Sequence, residues 1–418
     1  LHCVIQNPPE SVVILVMTRH ADDPGGFIQP GQDLPSELRP PATTTVRRPD
    51  ASTPACVAIR FEALRTDLLV AQQHCTQPPI FVTIRRIATA VRRALAPGID
   101  MKTWLSAVLL CLSATIAHAA GVKFVTIPAD AAGPEMRAGV WTPCAATPQP
   151  LSIGPFVLNG SRDCPTVGDK LPLVVISHGH GGSLLGHHDL AEALADAGYV
   201  VAAINHPGDT FSDMSRAADL QEFVERPADI KRLVDYMLGN APDAARIDPA
   251  RIGFFGFSRG GFTGLVLAGA NPDFVHASVA CPDPTWPICK QIRDGDVPKA
   301  PLTHDPRIKA YVLADPFDEF PTAATLKDVH APIQLWASEF GGDGVEPASV
   351  PALAGLLPQR PEFHTVPNSA HFAFIAPCSD ALTRIASRVC VDAKPFDRVA
   401  FHRTLDAKAL AFFNANLR

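Results

Sequence analysis

The sequence has no lysine before Lys102, no Cys-x-x-Cys pair and no uninterrupted apolar run of the roughly 20 residues that a membrane-crossing helix needs. Nowhere do Lys and Arg cluster with aromatic residues, and the formal charge is only -6. These absences argue against a zinc-ribbon module, a stable membrane span and a nucleic-acid-binding surface. No internal repeat or low-complexity run follows residue 120. What is present, 47% hydrophobic and 19% charged residues over 418 positions, is the composition of a globular protein with a large core.

The first hundred residues differ from the rest. They are rich in Arg and in Pro pairs such as Pro8-Pro9, Pro40-Pro41 and Pro78-Pro79, and sustained apolar periodicity is missing. Val12 to Met17 reads as a strand and Ile80 to Leu95 as a basic helix, neither with neighbours to build a core. From Met101, MKTWLSAVLLCLSATIAHAAG has a basic start at Lys102, an apolar core from Trp104 to Ile116 and a small-x-small site at Ala117-His118-Ala119. That layout is a secretory signal peptide over 101–119, with cleavage after Ala119. Leu110 precedes Cys111 where a lipoprotein signal would carry a small residue. Since a signal peptide acts at a chain's N-terminus, the expectation is that translation starts at Met101. Residues 1–100 are then upstream read-through or a disordered extension, and 120–418 a single domain.

Beyond the signal segment the cysteines are Cys144, Cys164, Cys281, Cys289, Cys378 and Cys390. An even set fits an oxidising compartment, periplasmic or extracellular, and the short intervals favour Cys144 with Cys164, Cys281 with Cys289, and Cys378 with Cys390.

In the same span, segments rich in Val, Ile and Phe alternate with helical patterns, which predicts an α/β fold with a mostly parallel central sheet of about eight strands and helices on both faces. The expected strands are Val122 to Ile127, Arg137 to Thr142, Leu171 to Ser177, Tyr199 to Asn205, Arg251 to Phe257, Ile308 to Ala314, Ile333 to Ala337 and Glu362 to Val366, the first two pairing antiparallel at an edge. Continuous apolar runs such as LVVIS and IGFFGF mark central strands. Helices are expected from Leu185 to Ala197, from Ala228 to Leu238 with Pro227 at its start, from Gly261 to Gly269 and from Arg403 to Asn414. The long Pro- and Asp-rich segment 271–307 reads as a lid or pocket wall, or as surface decoration pinned by a disulfide.

The chemistry is carried by RIGFFGFSRGGFTG, which sets Gly256-Phe257-Ser258-Arg259-Gly260 directly after an apolar strand and before a helix. This is the context of a nucleophile elbow, and it predicts the α/β-hydrolase fold with Ser258 as the nucleophile. Glycines two positions away on each side leave room for the tight turn. A serine hydroxyl needs a base, expected downstream in the order Ser, Asp or Glu, His. His371, in a loop after the last strand, fits that order; His276, His304, His330, His364 and His402 are less well placed. For the acid that orients the imidazole, Asp343 follows the strand IQLWAS, with Asp315 after YVLA as the main alternative and Asp318 and Glu339 behind. The oxyanion hole would use the backbone amide of Arg259 and one from Ser177-His178-Gly179-His180-Gly181-Gly182, with His180 as the donor. His178 and His180 lack a third ligand at a recognisable metal spacing, so no metal is expected.

With these residues placed, the chain resembles the dienelactone-hydrolase-like and platelet-activating-factor-acetylhydrolase-like branch of the α/β-hydrolases. The resemblance covers most of residues 120–418 and rests on ISHGHGGS, AINHPGDTFSD, ERPADIKRLVDYML, GFSRGG and VPNSAHFAFIAPC, in that order. It implies a Ser, Asp, His triad that carries over to Ser258, Asp343 and His371, an oxyanion amide at His180, and no cofactor. True dienelactone hydrolases use cysteine as nucleophile, so lactone hydrolysis of that kind is not implied by Ser258. Acetylhydrolase-like members carry their acid after the preceding strand, which keeps Asp315 open. The expected function is carboxylic-ester hydrolysis by an exported serine enzyme, on small-molecule, lipid or polyester substrates, with no nucleic-acid partner. An amidase or peptidase on the same fold and a non-catalytic secreted binding protein are the alternatives.

Overall fold

The computed structural model describes residues 119–276, 285 and 287–417, together with four short strand segments before residue 84. The chain divides into two compact units, Leu1–Leu112 and Ser113–Arg418. In the first, Val4–Ile5 pairs antiparallel with Val12–Val13, and Val57–Arg60 pairs parallel with Ile80–Thr83. The expected helix from Ile80 therefore starts as a strand, in keeping with its β-branched and aromatic run Ile-Phe-Val-Thr. The rest of that expected helix and the signal-like segment before residue 119 lie outside the described residues.

The second unit is built on ten strands: β1 (Ala119–Ile127), β2 (Met136–Cys144), β3 (Gln149–Ile153), β4 (Phe156–Arg162), β5 (Leu171–Ser177), β6 (Val200–Ile204), β7 (Ile247–Phe257), β8 (Ile308–Ala314), β9 (Ile333–Ser338) and β10 (Glu362–Val366). Their spatial order is β10-β9-β8-β7-β5-β6-β2-β1-β4-β3. The six strands from β10 to β6 run parallel, β6 meets β2 antiparallel, and β2 meets β1 antiparallel. All eight expected strands are present, and the count exceeds eight by one hairpin. That hairpin, β3 with β4, pairs alongside β1, so β1 and β2 are internal rather than an edge.

The parallel strands are buried along their length because helices cover both faces. Alternate residues feed two separate apolar layers. Leu173, Val175, Val200, Ala202 and Phe254 join α2 (Gln221–Gly239) and α3 (Arg259–Leu267) on one side. Val174, Ile176, Val201, Ala203 and Phe255 join α1 (His188–Asp196) and a C-terminal helix, Arg398–Asn416, on the other. Helix α2 starts at Gln221, seven residues before the expected start at Ala228, so Pro227 lies inside the helix rather than at its start. Buried Phe223 and Val224 in its first turns supply the packing that carries the helix through a residue without an amide.

The 271–307 segment is not a bare loop: Pro287–Asp294 is a helix, and Gln291 binds Asp219 and the Leu220 amide at the start of α2, each at 3.0 Å. Disulfides join Cys144 to Cys164 and Cys378 to Cys390. Cys281 lies outside the described residues. Among the described residues no helix is long and apolar enough to cross a membrane.

The ring of Phe413 packs on a bare position of β7: a Cβ on Gly253 would sit 2.7 Å from it. Phe413 is fully buried. Phe413→Ala should cost about 3–5 kcal/mol, because a β-strand and a helix cannot close a cavity of that size. Urea unfolding monitored by circular dichroism measures it, and a loss below about 1 kcal/mol would contradict this packing.

Candidate active site

Four loops leave the carboxyl ends of β5, β7, β8 and β10 on the same rim of the sheet, where parallel α/β sheets gather functional groups. Ser258 sits between β7 and α3 with φ 56° and ψ -119°, a backbone region that non-glycine residues rarely adopt. The turn is held from the next strand, since the Ser258 amide donates to Ala314 O (2.9 Å) and the Phe317 amide to Ser258 O (3.0 Å). It is tight because its glycines touch neighbouring backbone: a Cβ at Gly260 would lie 2.0 Å from Ser177 O, and one at Gly256 2.2 Å from Gly260 O.

The Ser258 hydroxyl lies 2.9 Å from Nε2 of His371, whose Nδ1 lies 2.9 Å from Oδ2 of Asp315. All three side chains are buried. With Asp315 accepting from Nδ1–H, Nε2 is left to accept the serine proton. The carboxylate also accepts from Ser338, through its amide to Oδ1 (2.8 Å) and its hydroxyl to Oδ2 (2.6 Å).

Asp343, expected to orient the imidazole, does not do so. It lies in a tight turn closed by mutual hydrogen bonds between Gly342 and Val345, and its carboxylate pairs with Arg388. The physical reason is strand adjacency. β8 neighbours β7, so the residue after β8 reaches the groove beside Ser258, whereas the loop after β9 meets His371 from its backbone side: the His371 amide donates to Gly341 O at 2.8 Å. Asp318 and Glu339 are also turned elsewhere, Asp318 to the Phe320 amide and Glu339 to the Asn368 amide. Ser338, which sequence reasoning missed, had only its place at a strand end as a signal.

The loop after β5 lies against the elbow, with a Cβ at Gly179 placed 3.2 Å from Ser258 Cβ. The Gly179 carbonyl is held by the Gly182 amide (3.1 Å) and by His178 Nδ1 (2.7 Å). Since a trans peptide points its N–H opposite its C=O, the His180 amide faces away from those anchors. Burial, and then the charge of Arg226, push His178 down to about 3, so it is neutral. Its Nε2 accepts the His206 amide (3.3 Å), leaving the proton on Nδ1. Both ring nitrogens are thus used by protein partners, and the His180 ring sits 3.3 Å from Asp209. The Arg259 amide opens α3, where first-turn amides have no partner within the helix.

Behind this rim lies a buried polar layer that the sequence reading left unassigned. Asp209 meets Arg226 at 3.1 Å and Arg259 at 2.8 Å. Burial alone would raise Asp209, but Arg226, His180 and Arg259 outweigh it and hold the carboxyl far below the usual range. A group of Asp189, His402 and Asp406 has the donor types of a metal site, yet His402 spends Nδ1 on Asp189 (2.5 Å) and Nε2 on Ala373 O (2.9 Å).

An elbow serine, a histidine after the last strand and an acid after the strand beside the elbow define, on this sheet, an α/β-hydrolase. Residues 172–301 match the α/β-hydrolase fold family. The chain is 29% identical over 246 residues to a protein of Nocardia uniformis subsp. tsuyamanensis named "Putative esterase NocK", covering 54% of this chain and 68% of that one. Its fold is similar to that of a ferulic acid esterase from Streptomyces cinnamoneus, with a TM-score of 0.51 and 18% identity over 73% of this chain and 92% of that one. The chain has the α/β-hydrolase fold.

The loop after Asp315 buries a second carboxyl. Glu319 is 1% exposed, and burial, reinforced by Asp318, pushes it up from 4.5 to about 9. Folding therefore takes up a proton between those values: this contribution is fully present below about pH 4.5 and is lost as pH rises towards 9. Urea unfolding at pH 5, 7 and 9 should show stability falling with pH, and Glu319→Gln should flatten the slope. Equal slopes in both proteins would rule out Glu319 as the source.

Proposed function

We propose that the protein hydrolyses carboxylic esters by two-step acyl transfer. Ser258 Oγ attacks the ester carbonyl while His371 Nε2 takes its proton, and Asp315 holds the imidazole in the tautomer that can accept it. His371 then returns the proton to the departing alkoxide, and water, deprotonated in turn by His371, releases the acid and restores Ser258. The amides of His180 and Arg259 stabilise the two tetrahedral oxyanions. The observation that carries the reading is the unbroken hydrogen-bond chain from Ser258 through His371 to Asp315. The name given to the Nocardia relative favours an ester over an amide. The dienelactone-hydrolase-like and acetylhydrolase-like branch is the closer kinship we assign, on the motifs that include an acid after the strand preceding β9.

Kinetics with para-nitrophenyl esters from acetate to palmitate test this reading. Ser258→Ala should abolish turnover, and Asp315→Asn should lower kcat by about 10³- to 10⁴-fold, as expected when the imidazole loses its orienting acid. Asp343→Asn should stay within a few-fold of the parent. A large loss in Asp343→Asn with Asp315→Asn nearly unaffected would transfer the acid's role back to Asp343.

Export is part of the same proposal, supported by the signal-like segment from Met101 and by the disulfides at Cys144–Cys164 and Cys378–Cys390. Mass spectrometry of protein recovered from the exported fraction should find Ala120 as the first residue. Peptides from 1–100 in that fraction would refute cleavage at Ala119.

A further inference from the structure

We propose that Asp209 is a positioning residue that holds the two oxyanion amides, His180 and Arg259, in fixed relation through the two oxygens of one buried carboxylate. The inference rests on the esterase reading above. Oδ1 accepts the Gly181 amide at 2.8 Å and lies 3.3 Å from the His180 ring, so it grips the loop after β5 on the residue next to the first donor. Oδ2 accepts from Nη1 of Arg259 at 2.8 Å, so it grips α3 by the side chain of the second donor. Arg259 also donates to Ala217 O at 2.8 Å, and its guanidinium stacks over Phe223, 4.7 Å from the ring centre.

Arg226 closes the frame. It shares Oδ2 of Asp209 and donates through Nη2 to the carbonyl of His178, so the loop is held at His178 and at Gly181, on both sides of the Gly179–His180 peptide. Asp209 and Arg226 are fully buried and Arg259 nearly so. Hydrogen bonds to charged groups in such surroundings are stronger and better directed than those at a surface. Asp209 is itself fixed, its amide donating to His206 O in the turn after β6.

The consequence for the reaction is specific. Oxyanion donors act only if they lie about 2.7–3.1 Å from where the charge develops, and that charge exists only in the transition state. Loosening their separation should therefore reduce kcat and leave substrate binding nearly unchanged. A carboxylate that merely stabilises the fold would affect the melting temperature and not the turnover of folded molecules.

The test is steady-state hydrolysis of para-nitrophenyl acetate by the full chain, with active molecules counted by end-point labelling of Ser258 with a fluorophosphonate. Asp209→Asn keeps the shape and an acceptor for Gly181 but presents an amide to two guanidinium groups. It should lower kcat per labelled site by about 30- to 300-fold, with KM within about threefold. Arg259→Met keeps the backbone donor and removes its anchor, and should lower kcat at least about tenfold. The double variant should be little worse than Asp209→Asn alone, because both remove one linkage.

If Asp209→Asn fails to fold, Arg259→Met alone decides the question. A kcat per labelled site within threefold of the parent, with only a lower melting temperature, overturns the proposal, as does a loss confined to KM. The esterase reading fails separately: in that case the parent protein itself turns over no ester and takes no label.

Discussion

The structure depends on how closely the turn at Gly256–Gly260 approaches the end of β5. With a Cβ at Gly260 excluded by Ser177 O, the helix that follows Ser258 can lie directly against the strand beside it. That contact places the loop Ser177–Gly182 against Ser258, which has a positive φ of 56°. Such a conformation costs on the order of 1–3 kcal/mol. It is sustained by hydrogen bonds from β8 and by apolar layers on both faces of the sheet. A strained serine is thus a product of strand and helix packing, which sets Ser258 at the carboxyl end of the sheet with its side chain nearly buried.

The same sheet end holds two serine–histidine–aspartate chains with opposite fates. Ser258, His371 and Asp315 meet at the turn between β7 and α3. Ser177, His206 and Asp229 are joined just as continuously, each link 3.0 Å, but Ser177 is the last residue of β5 and fully buried. Burial holds His206 neutral and pushes Asp229 up to about 7. This second chain is a brace beneath the loop after β5, since the His206 amide also supports the His178 ring. The two chains share residue types and hydrogen bonds and differ in the backbone of the serine: of the two serines, only Ser258 has a positive φ.

Burial also sorts the charges. Asp209 is kept ionised by two guanidinium groups, whereas Glu319, with Asp318 as its charged neighbour, is pushed up to about 9. Both are carboxyls almost without solvent contact, and only their neighbours differ. The ionised one spans two structural elements, and the other lies in the loop that carries Asp315 away from β8.

By itself the sequence determined whatever depends on local pattern. Continuous apolar runs in β5, β7 and β8 revealed strands buried on both faces, and glycines around Ser258 revealed the elbow, because such features are written in consecutive residues. His371 was legible from its place after the last strand. The β3–β4 hairpin was not, since its half-exposed residues carry too few Val and Ile to stand out, and α2 was shortened because a proline reads locally as a helix start. Tertiary structure alone decided which of Asp315 and Asp343 meets His371. Both follow strands and both have positive φ, 45° and 51°, so nothing local separates them. The choice is made by which strand lies beside β7, and strand order is a property of the packed sheet. Asp209 was equally hidden: it stood in a quoted motif, but its partners Arg226 and Arg259 lie 17 and 50 residues away and meet it only when the loop, α2 and α3 come together.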